Sequence, residues 1–203
     1  MKIAIIGTGK VGGSLARGWA RAGHDILLGV RDTQNFKGQE LLTEAQIRAV
    51  SIPDAVTEAE VVLIATPAQV VLELIKQWGS TEAKVWIDAT NAIAQSPQPY
   101  PTAYHALADR CAGAVVKCFN TTGYENMRNP RYGEARIDLF MAGAHAEAKG
   151  IARRLALDLG FAECYDFGGA DKVELLEQFA LAWINLAIMQ GMGRNIGFQL
   201  LRR

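Results

Sequence analysis

The sequence predicts an α/β fold in which helices cover both faces of a doubly wound, mostly parallel sheet. Short apolar runs alternate with segments of helical spacing along most of the chain, and the runs are almost continuously apolar. Such strands are typical of parallel sheets, because both of their faces are buried. The chain has 203 residues, half of them hydrophobic, which fits one full-sized domain with a sizeable core.

Eight apolar segments are predicted to form strands, and most are followed by a helical pattern. The strands span residues 2–6, 25–30, 50–52, 60–65, 84–88, 114–119, 138–142 and 162–167. Apolar residues at helical spacing predict helices over residues 15–20, 40–50, 53–56, 70–78, 102–111 and 146–159, and over the whole chain from Asp171 onward. Residues 120–129 are polar and are predicted to form a loop.

The first predicted strand runs directly into Gly7-Thr8-Gly9-Lys10-Val11-Gly12, and a helix follows. In this context the glycines have distinct roles: Gly7 permits a tight turn, Gly9 lets a diphosphate approach the backbone, and Gly12 lets the helix pack closely on the strand. A diphosphate would then lie on the unpaired N–H groups at the helix start. The motif therefore predicts a dinucleotide-binding site.

Small polar residues follow several of the predicted strands. Because parallel strands end at one edge of the sheet, these residues are expected to lie together, where ligands bind in open α/β sheets. They are Gly7, Thr8 and Gly9, then Arg31, Thr66 with Pro67, Asn91, and finally Asn120, Thr121 and Thr122. Each alone is more typical of a cap or turn, but together they favour a cofactor groove.

The end of the second strand distinguishes the two dinucleotides. An NAD site places an acidic residue there for the ribose 2′-hydroxyl, whereas this chain has Val30 followed by Arg31. A guanidinium is suited to the 2′-phosphate of NADP, and Thr33 offers a hydroxyl. Asp32 would repel that phosphate unless its carboxylate turns away. The sequence therefore predicts NADP(H).

No residue pattern typical of acid-base or nucleophilic catalysis is found, and no catalytic residue is predicted. His24, His105 and His145 stand outside any such motif. The remaining chemistry is hydride transfer between two cofactor-like rings, for which the protein supplies orientation. Nothing in the sequence indicates a metal.

The composition excludes several other classes of function. Lys plus Arg and Asp plus Glu are 21 each, so the formal charges balance. The sequence has no run of basic residues interleaved with aromatic residues, which is the pattern typical of nucleic-acid binding. The apolar stretch 179–189 is too short to cross a membrane. Cys111, Cys118 and Cys164 are scattered, as expected of reduced thiols in a cytoplasmic protein.

Five segments resemble the deazaflavin-dependent NADP oxidoreductases, whose coenzyme is F420. These segments are MKIAIIGTGKVGG (1–13), LGVRD (28–32), the stretch 63–67, DATNA (88–92) and VKCFNTTGYENM (116–127). Residues 176–201 also resemble the end of that family. The cytosolic reductase domains of six-transmembrane metalloreductases are similar too.

The resemblance implies a Rossmann-type NADP-binding domain over residues 1–167. A small C-terminal helical extension over residues 168–203, within the same compact unit, would close over the nicotinamide. The implied NADP contacts are Gly7, Thr8, Gly9, Lys10, Val11, Gly12 and Arg31, with Thr66, Pro67, Asn91 and Ala92 near the ribose and nicotinamide. The implied acceptor, a deazaflavin or flavin, would lie by Asn120, Thr121, Thr122, Gly191, Met192 and Gly193. Val30 is a departure, since the family often has Ser beside the Arg.

Two other functions stay open at this point. One is NADPH-dependent reduction of a small carbonyl or imine, although such enzymes build their pocket from a longer helical domain. The other is a regulatory NADP-binding module without turnover. Separately, the stretch 179–189 is apolar nearly all round, so a second copy of the chain is expected to cover it as a homodimer.

Overall fold

The computed structural model describes residues 1–78, 81, 84–93 and 95–203. Its main sheet has six strands in the order β3-β2-β1-β4-β5-β6, and every neighbouring pair is parallel. This order confirms the predicted doubly wound, Rossmann-like α/β fold. The strands are β1 (Lys2–Ile6), β2 (Asp25–Val30), β3 (Ile47–Ser51), β4 (Val61–Ile64), β5 (Val85–Asp88) and β6 (Ala114–Lys117).

The strand order reverses between β1 and β4, and this reversal positions the site. Strands β2 and β3 lie on one side of β1. The chain then crosses to the other side of β1, where it forms β4, β5 and β6 in turn. A crevice is left beyond the carboxyl ends of β1 and β4, where the two halves of the sheet meet.

Helices cover both faces of the sheet. Buried residues of α1, α5 and α6 contribute to one hydrophobic cluster, and those of α2, α3, α4 and α7 to the cluster on the opposite face. The helices are α1 (Lys10–Arg21), α2 (Ile52–Glu58), α3 (Val71–Ile75), α4 (Ala103–Arg110), α5 (Tyr124–Arg128), α6 (Ala146–Asp158) and α7 (Val173–Ile184).

Two smaller sheets follow β6. A short antiparallel hairpin pairs β7 (Arg131–Tyr132) with β8 (Ala135–Arg136), and β9 (Leu139–Met141) pairs in parallel with β10 (Cys164–Asp166). An antiparallel bridge from Lys117 to Ala142 joins the end of β6 to the segment after β9.

The C-terminal segment packs back onto the domain. After α7 a single π-helical stretch covers Asn185–Met189, and residues 190–203 have no regular secondary structure. The carbonyl oxygen of Ile196 accepts hydrogen bonds from Trp183 Nε1 (2.9 Å) and Asn126 Nδ2 (2.7 Å). The Phe198 ring lies 4.8 Å from that of Phe179. These contacts hold the last fourteen residues without a helix.

Four of the predicted elements are wrong in extent or type. The helix expected over 40–50 is a 3₁₀ segment, Gln39–Thr43, followed by β3, because residues 47–51 pair with β2 at the sheet edge. The loop expected over 120–129 contains α5, and the helix expected over 70–78 is regular only over Val71–Ile75. The chain is not helical beyond Met189. At residues 47–51 the pairing with β2 overrides a weak local preference for helix.

Candidate functional site

A cleft of about 1040 Å³ opens beyond the carboxyl ends of β1, β2 and β4. Its walls also include the loop after β2 and one side of α3. Six of the sequence-predicted cofactor residues line it: Gly7, Thr8, Gly9, Arg31, Thr66 and Pro67. The structure thus brings together the first, second and fourth strand ends, as the parallel topology requires.

The glycine turn is shaped by backbone packing. Gly7 has φ +107°, and a Cβ atom there would come within 2.6 Å of the Ala65 carbonyl group. A Cβ atom on Gly12 would overlap the carbonyl oxygen of Gly7. Both positions therefore accept only glycine if β1, the turn and α1 are to keep their close packing.

Gly9 differs from the other two glycines. It has φ −73°, which any residue adopts, and no described atom lies within 4 Å of its Cβ position. It is the N-cap of α1, and no side chain in the described part of the protein caps this helix end. The N–H groups of the first turn are therefore available to an anion, and the open space lets it approach. These features fit a dinucleotide diphosphate.

The end of β2 presents positive charge to the cleft. Arg31 is exposed on the cleft wall, and Lys37 lines the same cleft from the following loop. The carboxylate of Asp32 accepts the backbone N–H groups of Gln34 (2.9 Å) and Asn35 (3.2 Å). Asp32 lines the same cleft as Arg31 and Lys37, so its negative charge stays at the cleft wall even though the carboxylate is hydrogen-bonded to its own loop.

Three predicted residues of this region lie apart from the lining. Thr33 is exposed but is not among the cleft's lining residues. The Nζ of Lys10 lies 5.1 Å from the centre of the Tyr124 ring, outside the cleft lining, and Val11 packs against the core. Lys37 was missed in the sequence because nothing in its local pattern indicates that the loop folds back. There the Thr8 hydroxyl donates to the Lys37 carbonyl oxygen.

The ends of β5 and β6 form a second, more buried polar region. Asn120 and Thr121 are buried, while Asn91 is exposed and Ala92 half-buried. Asn120 Nδ2 lies 3.4 Å from Asn91 Oδ1. The Thr122 hydroxyl accepts from Asn126 Nδ2 at 2.8 Å, so it has a partner within the protein.

Four side-chain oxygens just beyond β4, β5 and β6 are buried but unpaired within the described chain. They are Thr66 Oγ1, Thr90 Oγ1, Asn120 Oδ1 and Thr121 Oγ1. Buried polar atoms are nearly always hydrogen-bonded in folded proteins, so a group of them at one sheet edge indicates bound ligand or water.

A buried charge cluster lies beside this region. Lys117 Nζ contacts Asp88 Oδ2 (3.0 Å), Glu177 Oε1 (2.6 Å) and the Thr90 carbonyl oxygen (2.5 Å), and the Lys117 side chain is completely buried. Burial alone would lower the pKa of Lys117, but attraction by Asp88 and Glu177 and its hydrogen bonds to them outweigh burial and raise it. The cluster joins the ends of β5 and β6 to α7.

This cluster is not predicted from the sequence, although the sequence contains a signal for it. Lys117 stands inside an otherwise apolar strand, and a charged residue at such a position requires a buried partner. Asp88 at the end of β5 was one candidate. Glu177 was not recognisable, because its contact depends on how α7 docks.

The predicted acceptor residues 191–193 are exposed, with Met192 60% accessible. Their position is set by the next residue, because Arg194 Nε lies 2.5 Å from Glu125 Oε1 near the loop after β6. Burial alone would raise the pKa of Glu125, but hydrogen bonds, chiefly from Arg194, lower it. Residues 191–193 therefore precede a contact with α5, and none of them is hydrogen-bonded to the Asn120 side chain within the described ranges.

Two other kinds of site are absent from the described residues. Within the described ranges, no helix combines the length and apolarity that crossing a bilayer demands. The same part of the chain has no group of three His, Cys, Asp or Glu side chains placed to hold a metal ion.

Comparison with known proteins gives consistent matches. The sequence model of the family described as NADP oxidoreductase, coenzyme F420-dependent, matches residues 2–92. A protein of Methanothermobacter marburgensis named F420-dependent NADP reductase is 27% identical, and the alignment covers 98% of each chain.

Solved structures share the fold. A protein from an Arthrobacter species has a TM-score of 0.84 at 24% identity, with 100% of both chains covered. A reductive aminase from Aspergillus terreus has a TM-score of 0.70 at 16% identity, with 94% of this chain but only 62% of the aminase covered. The sequence matches agree with the motifs: residues 2–92 resemble the F420-dependent NADP oxidoreductases, and the solved structures share the fold.

Proposed function

We propose that this protein binds NADP(H) in the cleft and transfers hydride between the nicotinamide and a deazaflavin, coenzyme F420. The observation that carries the proposal is the open N-terminus of α1 at Gly9, between two glycines that the backbone packing requires. The name of the Methanothermobacter relative supports the choice of acceptor.

The cleft residues are suited to the adenosine half of the cofactor. The first-turn N–H groups of α1 would hold the diphosphate, while Arg31 and Lys37 would hold the 2′-phosphate. The support for Thr33, Lys10 and Val11 as cofactor contacts is weaker, because these residues do not line the cleft.

The residues at the ends of β4, β5 and β6 are suited to the nicotinamide half. Thr66, Pro67, Asn91 and Ala92 would border the ribose and nicotinamide, with the acceptor beyond them. The acceptor side is assigned to Asn120, Thr121, Thr122, Gly191, Met192 and Gly193, with Asn120 at its border with the nicotinamide. When bound, NADPH supplies the hydride and the deazaflavin ring accepts it, so the chain's part is to hold both rings in register and exclude water.

Turnover with different acceptors tests this proposal. NADPH oxidation is measured with coenzyme F420, free flavins, ferric chelates and a cyclic imine as separate acceptors. NADPH should be oxidised rapidly with F420 and not with the other acceptors. Preference for the imine would favour the carbonyl or imine reductase, and tight NADPH binding without any turnover would favour a regulatory module.

Replacing Arg31 by Ala is expected to reduce the preference for NADPH over NADH. Loss of a charge-assisted contact to the 2′-phosphate costs roughly 1.5–3 kcal/mol, which is about a tenfold to hundredfold weaker NADPH affinity. NADH affinity stays unchanged. Fluorescence titration of both nucleotides measures the ratio.

Arg48→Ala is the matched control for this variant. Arg48 lies at the sheet edge in β3 and pairs with Glu58 at 2.5 Å, away from the cleft lining. It should leave the ratio untouched. An unchanged ratio in Arg31→Ala would show that the 2′-phosphate lies elsewhere.

We also propose a homodimer built on the end of the C-terminal helix. Ile188, Met189 and Met192 are each more than half exposed, an unusual arrangement for three large apolar side chains so close together. Sedimentation should give about twice the 22.0 kDa chain mass. Met189→Lys should shift the species towards the monomer, and a monomeric wild-type protein would exclude this interface.

A cytoplasmic location is a further part of the proposal. Cys111, Cys118 and Cys164 are all buried and free, and Cys118 Sγ and Cys164 Sγ lie 3.6 Å apart without a disulfide. Reduced thiols at that distance are typical of a reducing compartment. Cell fractionation with antibody detection tests the location.

The boundary at residue 168 is also a proposal. Val173 and Leu176 of α7 belong to the same core cluster as the sheet residues, which supports one compact unit rather than two independent domains. Truncation after residue 167 should therefore produce an insoluble chain, whereas a soluble, folded product would indicate separate domains.

A further inference from the structure

Within the part of the chain that the structure describes, the side-chain amide of Asn120 is hydrogen-bonded through its nitrogen but not through its oxygen. Its Nδ2 lies 3.4 Å from both Glu177 Oε2 and Asn91 Oδ1, whereas its Oδ1 has no hydrogen-bond partner among the described residues. The residue is only 4% exposed. A buried carbonyl oxygen without a donor costs free energy, so this atom points to a ligand that carries an N–H or O–H group.

The orientation of the Asn120 amide is fixed by Glu177. A carboxylate only accepts hydrogen bonds, so the NH₂ group of the amide must face it and the carbonyl oxygen must face away. Reversing the amide would bring two oxygens together. An assignment that is often ambiguous for Asn side chains is here determined by the charge of the neighbour.

Glu177 is in turn held by contacts on both of its oxygens. Oε1 lies 2.6 Å from Lys117 Nζ, and Oε2 accepts the backbone N–H of Ala92 at 3.3 Å. Lys117 is anchored to Asp88 on β5. The carboxylate is therefore fixed relative to the sheet even though it belongs to α7.

We propose that Glu177 is a positioning residue that turns the Asn120 carbonyl oxygen towards the bound nicotinamide, where it accepts an N–H of the ring carboxamide. This inference rests on the proposed function. The carboxamide is the suitable donor because the cleft at β1 and β2 takes the adenosine half, which leaves the ends of β5 and β6 for the nicotinamide. The adjacent Thr121 adds a second buried, unpaired polar atom to the described strand end.

An analogue without the carboxamide N–H tests the contact directly. The reduced 3-acetylpyridine analogue of NADPH carries a methyl group in place of the NH₂ and keeps the rest of the molecule. Dissociation constants of NADPH and of this analogue are measured by fluorescence titration on the intact chain. Wild type should bind NADPH about tenfold more tightly, the effect of one hydrogen bond.

Three variants separate positioning from a general structural role. Asn120→Ala should reduce the NADPH-to-analogue ratio to about one. Glu177→Gln is isosteric and keeps Lys117 paired with Asp88, but its amide lets Asn120 turn either way, so the ratio should fall to about threefold. Asn126→Ala removes a buried Asn whose Nδ2 and Oδ1 both have partners in the protein, and should leave the ratio at tenfold.

The outcomes decide the inference separately from the proposed function. A wild-type ratio near one with intact NADPH binding overturns the carboxamide contact and leaves NADP binding standing. Equal weakening of both nucleotides in Asn120→Ala also overturns it, as does an undiminished ratio in Glu177→Gln. Absence of NADPH binding in the wild type overturns both proposals.

Discussion

Replacing Lys117 by Met is expected to lower the free energy of unfolding by about 3–5 kcal/mol. The Lys117 side chain is fully buried between Asp88 and Glu177, so its loss leaves two carboxylates in the interior without their cation. Met has a similar length and fills the space, so the deficit reflects charge rather than a cavity. Chemical denaturation followed by circular dichroism measures it.

Lys84→Met is the matched control for Lys117→Met. Lys84 Nζ also donates to backbone carbonyl oxygens, those of Thr57 (3.2 Å) and Ala59 (2.8 Å), but it has no carboxylate partner among the described residues. Lys84→Met should lower the free energy of unfolding by less than about 1 kcal/mol. If both variants lose the same free energy of unfolding, the buried ion cluster contributes no more to stability than hydrogen bonds from Lys84 to carbonyl oxygens.

The pH dependence of Lys117→Met follows from the signs of the charges. In the wild type the pKa of Lys117 is raised above its ordinary value of 10.5, so its contribution is complete below that pH and is lost as pH rises through the folded-state pKa. In the variant the unpaired carboxylates gain from protonation in the folded state. The deficit relative to wild type should therefore be smaller at pH 5 than at pH 8.

Local sequence was sufficient to predict the sheet and six of the residues that line the cleft. Continuous apolar runs such as Val61–Ile64 can only be buried on both faces, and a glycine turn between a strand and a helix has few other uses. Arg31 was correctly expected at this edge of the sheet because its place depends only on where β2 ends. These features need no knowledge of distant contacts.

The remaining parts of the site depend on docking, which local patterns do not encode. Lys37 reaches the cleft because the loop after β2 folds back, and Glu177 reaches Lys117 because α7 packs over the ends of β5 and β6. The helix predicted over 40–50 failed for the same reason, since β3 is specified by its pairing with β2. Long-range contacts decided each case.

Replacing Gly9 by Ala is expected to weaken cofactor binding strongly while leaving the fold intact. Its φ of −73° suits alanine, and no described atom lies within 4 Å of the new methyl group, so the free energy of unfolding should change by less than about 1 kcal/mol. The methyl group would occupy the space through which the diphosphate approaches the helix. NADPH affinity should fall about hundredfold, or roughly 2.8 kcal/mol.

Gly12→Ala serves as the comparison, and its main expected effect is a lower free energy of unfolding. Its methyl group would overlap the carbonyl oxygen of Gly7, so β1 and α1 must move apart at a cost of about 3 kcal/mol of stability. Paired denaturation and NADPH titration of the two variants separate a glycine kept for packing from one kept for a ligand. Normal NADPH affinity in Gly9→Ala would mean that the diphosphate does not lie on the N-terminus of α1, and the proposed function would lose the observation that carries it.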